Sequence, residues 1–363
     1  MRKLLRDELD VWDVGLIECH CDRQERLNAP IRLKSIMTTN IAHIAMLLAV
    51  TAIAFGVSIA EDAASESANL SSSSTLLGQS SSIIELVDFV REARDYARDA
   101  GYEKACQEFD NKTGEFVRGD LYIYAYDFLG KNVAHPFRPD FIGKDKANLT
   151  DPNGVALIQD LADCSRRGED FTYFIFPNPD HANRDELKVG YAAKVDDNWW
   201  VGSGVYLSDV PAFFQSESRE NLVAFVDEAA KYAEEKGREK ALQAFNDRNG
   251  SFVRGNLYIF AYDYNGTTLS LPYQPELVGS NRMDAKDSNG IAFFRNCIDQ
   301  AKRGEGYLYY IYPNPGTNMD DDLKLSYVRG MDSDWCVGAG IYASESNTTI
   351  ATNPTYLGEI RSS

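Results

Sequence analysis

Histidine is the scarcest chemically useful residue in this chain: there are four in 363 residues, and only His135 and His181 lie beyond residue 60. The sequence contains no Gly-Xaa-Ser-Xaa-Gly elbow, no phosphate-binding loop and no His-Glu-Xaa-Xaa-His helix, which removes the common hydrolase, nucleotide-transfer and zinc-protease chemistries. Cysteine is also sparse, at 19, 21, 106, 164, 297 and 336. The short run Cys19-His20-Cys21 invites a metal reading, but with no second pair downstream it offers too few ligands for a closed site. Basic residues are outnumbered, 37 to 55, and the net charge of -18 repels nucleic acid and anionic membrane surfaces. No second long apolar run follows residue 60, and no kinase, coiled-coil or enzyme module is legible downstream. The expectation is a protein that is not an enzyme and carries no cofactor.

What is present is a duplication. Leu121-Tyr122-Ile123-Tyr124-Ala125-Tyr126-Asp127 returns as Leu257-Tyr258-Ile259-Phe260-Ala261-Tyr262-Asp263, and the same offset of 136 relates Gly154 to Gly290, Pro177 to Pro313, Trp199 to Trp335 and Tyr206 to Tyr342. A period this long marks two whole domains. No cysteine recurs at that offset, so the copies share no disulfide framework. Cys106 with Cys164, or Cys297 with Cys336, remain as pairings within a copy, and buried apolar thiols are the expected state.

Residues 1–60 form a leader in which Ile41 to Ala60 is uncharged and long enough to cross a bilayer. Two readings stay open: a retained anchor, or a cleaved signal ending at Ser58-Ile59-Ala60, with Met37 as an alternative start. Both export the remainder, to the cell membrane with extracytoplasmic domains or to the medium. Residues 61–82 read as a Ser-rich linker, 83–208 as domain 1, 218–343 as domain 2 and 344–363 as a polar tail. In each domain an amphipathic helix (Leu86, Phe89, Val90, Ala93, Ala97; Leu222, Phe225, Val226, Ala229, Ala233) leads into an aromatic strand, a loop and short helix, and three strands joined by tight turns. Asp151 or Asn153 is expected to cap the short helix and Gly168 to close it. Asp151-Pro152-Asn153-Gly154 lacks the distal glutamate of a calcium loop, since position 162 is alanine. The fold class is α+β, each domain a long helix on a small antiparallel sheet. Sequons at Asn69, Asn111, Asn148, Asn249, Asn265 and Asn347 suit a glycosylated surface.

These residues resemble the Cache-type extracellular sensor domains, specifically the single-Cache type 2 group with its PAS-like fold. The resemblance rests on Tyr124-Ala125-Tyr126-Asp127, His135-Pro136, Ile142-Gly143-Lys144, Asp151-Pro152-Asn153-Gly154, Pro177-Asn178-Pro179 and Gly202-Ser203-Gly204-Val205-Tyr206 in copy one. In copy two it rests on Phe260-Ala261-Tyr262-Asp263, Asp287-Ser288-Asn289-Gly290, Tyr310-Ile311-Tyr312-Pro313-Asn314-Pro315, Lys324 to Arg329 and Gly338-Ala339-Gly340-Ile341-Tyr342. It implies a pocket for a short organic acid between the sheet and the His-Pro loop. The ligand-binding residues it suggests are His135, Tyr124, Tyr191, Phe174 and Lys188 in copy one, and Tyr310 and Tyr327 in copy two. Copy two departs from the pattern, with Leu271-Pro272 for His135-Pro136 and Ser280 for Lys144.

Strand alternation sorts these candidates. Tyr122, Tyr124 and Tyr126 share a face, Tyr126 reading as core and Tyr124 remaining open between core and ligand contact. Tyr191 shares its face with Leu187 and Val189 and is expected to point inward, leaving Lys188 solvated; the same reasoning favours Tyr327 over Lys324. The functional expectation is a sensor acting through a separate membrane signalling or transport partner. The alternative is a structural or adhesive surface protein with degenerate domains.

Overall fold

The computed structural model describes residues 82–345, so the apolar run 41–60, the linker, Cys19 to Cys21, the sequons at Asn69 and Asn347 and the tail beyond 345 lie outside the described residues. Among the described residues no helix is long and apolar enough to cross a membrane.

The amphipathic spacing produces α1 (residues 82–100), whose Leu86, Phe89, Val90, Ala93 and Ala97 are at most 2% exposed. Gly101, at φ +82°, breaks the rod and admits α2 (Tyr102–Phe109), as Gly237 does between α4 (Ser216–Lys236) and α5 (Arg238–Asn246) in the second module. The aromatic strand is interrupted at Ile123, giving β2 (Leu121–Tyr122), which pairs with β1 (Val117–Arg118), and then β3 (Tyr124–Asp127). After β4 (Asn132–Ala134) the chain runs through the His-Pro loop to α3 (Leu157–Arg166), then β5 (Glu169–Asn178), β6 (Arg184–Lys194) and β7 (Trp199–Tyr206). The sheet order is β4-β3-β7-β6-β5, all antiparallel.

The second module repeats this with β8 (Val253–Arg254), β9 (Leu257–Tyr258), β10 (Phe260–Asp263), β11 (Thr268–Ser270), α6 (Phe293–Lys302), β12 (Glu305–Asn314), β13 (Asp320–Gly330) and β14 (Trp335–Tyr342). Its order, β11-β10-β14-β13-β12, is that of the first. The expected pair of α+β modules, each on an antiparallel sheet, is therefore present.

Each sheet is covered on both faces, and this decides the site. In module one α1 and α2 cover the face carrying Ile123, Ala125, Tyr191, Ala193, Trp199 and Val201. α3 covers the other, carrying Tyr122, Tyr124, Tyr126, Phe174, Ala192 and Trp200. A separate apolar core joins the modules, with Val155, Tyr173, Leu187, Val189 and Phe214 against Ile291, Tyr309, Leu323 and Leu325.

One local expectation is corrected. Asp151 and Asn153 do not cap α3, whose N-cap is Ala156 without a side-chain bond. Asp151 instead ties the preceding loop: its carboxylate accepts from the backbone N–H groups of Asn153 (2.9 Å), Val155 (3.0 Å) and Ile175 (3.0 Å). The reason is distance along the chain, since the Asp-Pro-Asn-Gly turn closes on itself before the helix begins. The cysteines at 106, 164, 297 and 336 are free thiols, the last three buried. The sequons at Asn111, Asn148, Asn249 and Asn265 are exposed.

Candidate functional site

Between α3 and its sheet face lies a small cavity lined by Tyr122, Tyr124, Tyr126, His135, Leu157, Ile158, Leu161, Phe174, Phe176 and Lys188. In its present form it holds about one water molecule. Missing side chains in the sheet make room for the rings. A Cβ on Gly202 would meet the Tyr124 ring at 2.6 Å, one on Gly190 the Phe174 ring at 2.4 Å, and one on Gly204 the Lys188 stem at 2.7 Å.

Lys188 is fully buried, and its Nζ has no hydrogen-bond partner. The ammonium position lies 4.1 Å from the centroid of Tyr122 and 4.3 Å from that of Tyr206, so ring faces are its nearest company. Burial pushes its pKa well below the ordinary lysine range, with the charge of Asp120 opposing. The expectation that Lys188 is solvated is thus overturned. Tyr191 and Tyr327 are corrected with it: Tyr191 packs with α1 on the opposite face, 4.5 Å from the Phe171 ring, and Tyr327 lies in the equivalent helix-side core of module two. The alternation along β6 holds, but its apolar side is not the cavity side. Both faces are dry, and the polar residue is the one aimed at the site.

His135 is brought in by the irregular loop that its following proline enforces. It is 2% exposed, with its ring centroid 5.3 Å from Tyr122, 6.1 Å from Tyr124 and 6.0 Å from Phe176. The Asp110 carboxylate accepts its backbone N–H at 2.8 Å. Nδ1 accepts from the Arg138 N–H at 3.2 Å, which leaves Nε2 to carry the proton of the neutral ring. Burial first, and then the charge of Lys188, lower its pKa to about 3. It is a neutral donor at physiological pH.

Of the tyrosine hydroxyls, expected as donors, those of Tyr122 and Tyr124 are committed elsewhere. Tyr124 donates to the Ser203 carbonyl at 3.1 Å. Tyr206 donates to the Pro177 carbonyl at 2.8 Å, so the 3.2 Å contact between Tyr122 and Tyr206 has Tyr122 as its donor. Lys188 and His135 Nε2–H are left to meet an incoming anion. Phe174 contributes an apolar wall, as does Phe176, which sequence reading missed although it lies one strand period from Phe174. Tyr126 lines the cavity too, its ring stacked 5.2 Å from Trp200. His181 sits at the β5–β6 turn, bonded to Glu186 at 2.7 Å, and has no part in the cavity lining.

Module two keeps the scaffold and fills the space. Phe293 and Phe294 stand where module one has Leu157 and Ile158, and Phe293 stacks on Tyr310 at 4.6 Å. Tyr310 accepts from Ser326 Oγ at 2.9 Å, Leu271 replaces the histidine, and Phe260 replaces Tyr124. Lys324 is buried like Lys188 but donates to the Tyr258 hydroxyl at 3.0 Å; burial brings its pKa to about 7. Among the described residues no cluster of histidine, cysteine and carboxylate groups is arranged to hold a metal.

Two like modules, each an antiparallel sheet with a long helix on one face and a side-chain cavity or its filled remnant on the other, define a tandem PAS-like sensor architecture. The chain belongs to the Cache domain family: a double-Cache family model matches residues 111–347 in one continuous span. The tandem arrangement expected from the duplication is therefore borne out, as the double form of the family. The chain is 32% identical over 92 residues to the sensor histidine kinase MctS of Rhizobium johnstonii, covering 25% of this chain and 20% of that protein. It is 28% identical over 103 residues to the methyl-accepting chemotaxis protein McpP of Pseudomonas putida, covering 28% of this chain and 19% of that protein. The chain thus spans about a fifth of the length of these curated relatives. Among solved structures, a methyl-accepting chemotaxis protein from Vibrio parahaemolyticus is 27% identical, with 35% of this chain and 88% of that one covered and a TM-score of 0.32.

Proposed function

We propose that module one is an extracytoplasmic sensor for a short aliphatic carboxylate, and that it acts through a separate signalling partner with no catalysis of its own. The observation that carries this reading is Lys188: a buried amine with no hydrogen-bond partner, facing a cavity that His135, with its Nε2–H, also lines. A carboxylate supplies what the site lacks, an anion able to accept from both groups where the low dielectric strengthens each bond. The apolar remainder, Leu157, Ile158, Leu161, Phe174 and Phe176, suits a short aliphatic tail, which the closed cavity would have to open to admit. Membership of the Cache family and the sequence relatives, a sensor kinase and a chemotaxis protein, support the sensor role. The run 41–60 would place the modules outside the cytoplasm.

A thermal-shift screen of the full chain against acetate, propionate, pyruvate, lactate and amino acids tests the reading. A ligand in large excess over its Kd should stabilise by roughly 2–4 kcal/mol. If no short acid raises the midpoint, the sensor assignment fails.

A further inference from the structure

The contacts between the modules obey the same offset of 136 that relates their sequences, and they do so reciprocally. Tyr309 of module two donates to Asp151 of module one at 2.8 Å and accepts from Asn153 at 2.7 Å. Tyr173 of module one donates to Asp287 of module two at 2.9 Å and accepts from Asn289 at 2.9 Å. Each residue in the first set is the duplicate of one in the second. The helices repeat the pattern: Arg167 pairs with Asp299, while Arg303 pairs with Asp163. Residue i meeting j while j meets i is the signature of a two-fold, self-complementary contact, which closes on itself.

We propose that the face formed by the 151–155 loop, α3 and β5, together with its duplicate, is a dimerisation surface whose partner is another copy of the same domain, module two being a covalently attached second subunit. Charge spacing supports self-recognition. Asp163 and Arg167 lie four residues apart at the end of α3, as Asp299 and Arg303 do at the end of α6, so an antiparallel two-fold crossing sets acid against base twice. Module one itself carries the loop and arginine–aspartate partners for such a pair, while Asn296 and Gln300, which bond Arg167, Phe171 and Asp160 across the interface, have Asp160 and Cys164 as their duplicates. Asp151, Asn153 and Tyr173 would form the loop contacts, and Arg167 would meet Asp163 and also Asp160, which Arg303 contacts here. The interface is dry as well as charged, since Val155, Tyr173 and their duplicates Ile291 and Tyr309 lie in the joining core. Such a contact does not depend on which ligand module one takes.

The test places a specific protease site in the full chain between the exposed residues Gln215 and Ser216, then nicks the folded protein. After dilution and reconcentration, native mass spectrometry should find the original pair of halves and, beside it, a homodimer of the module-one half. Exclusive recovery of the original pair, or folded halves that stay monomeric, would overturn the proposal. Should the released halves unfold, the un-nicked chain decides: Tyr173→Phe and Tyr309→Phe should lower the unfolding midpoint by comparable amounts, and a shift in one with none in the other would show the two-fold to be accidental.

Discussion

At the scale of single residues, Lys188 is the costly one. A lysine without a counter-charge inside a protein is expensive to bury, and it is retained here against rings that only weakly compensate it. Replacing it with methionine keeps the stem and removes the charge. Lys188→Met should weaken carboxylate binding by roughly 30-fold or more, as expected for losing the charged partner of a buried pair, while the ligand-free protein keeps or gains stability. Isothermal titration calorimetry reads the first and thermal denaturation the second; unchanged affinity would move the site.

The same residue sets a pH dependence. Burial lowers the pKa of Lys188 in the empty site, and a bound carboxylate raises it again. Between the two values the complex holds a proton that the empty protein lacks, so binding takes up a proton and affinity falls as pH rises through that window. His135 is neutral above about pH 3 and contributes no step near neutrality. Calorimetry in buffers of differing ionisation enthalpy measures the uptake directly, and release instead of uptake would contradict this account.

At the scale of elements, α3 works on two sides. Leu157, Ile158 and Leu161 close the cavity, while Asp160 and Asp163 reach Arg303 of module two. A ligand that displaces this helix must also disturb the contact with α6. Module two shows how the cavity can be closed from the same element, by phenylalanine at two positions. The double substitution Leu157→Phe with Ile158→Phe should abolish ligand-induced stabilisation and cost about 1–3 kcal/mol through over-packing. Retained binding with full affinity would exclude the space beneath α3.

At the scale of the whole molecule, the joining core makes the modules one mechanical unit. Leu187 and Val189 of β6 and Leu325 of β13 are at most 1% exposed, within a core that neither module completes alone. Calorimetry of the ligand-free protein is expected to show a single cooperative transition, and a ligand of module one should slow hydrogen exchange in β12 of module two. Two separated transitions would show that the modules unfold independently.

Much of this was legible in the chain. The offset of 136, the helix stripe from Leu86 to Ala97 and the alternation of Tyr122, Tyr124 and Tyr126 are local or repeated patterns, and local patterns survive folding because they are set by the period of each element. The placement of His135 and Phe174 followed from the family resemblance. The side of β6 that faces the cavity could not be read this way. Alternation separates Lys188 from Tyr191 but does not say what covers each face, and here helices cover both. Nor could the donor inventory be read, because Tyr124 is spent on the Ser203 carbonyl, 79 residues away in sequence. By itself, then, the sequence determined two α+β modules, their register and the loss of histidine chemistry in the second. Tertiary structure alone decided that a lysine faces the cavity, that the hydroxyls of Tyr122 and Tyr124 are occupied, and that the modules meet about a two-fold, since each depends on which distant surfaces exclude water from the same side chain.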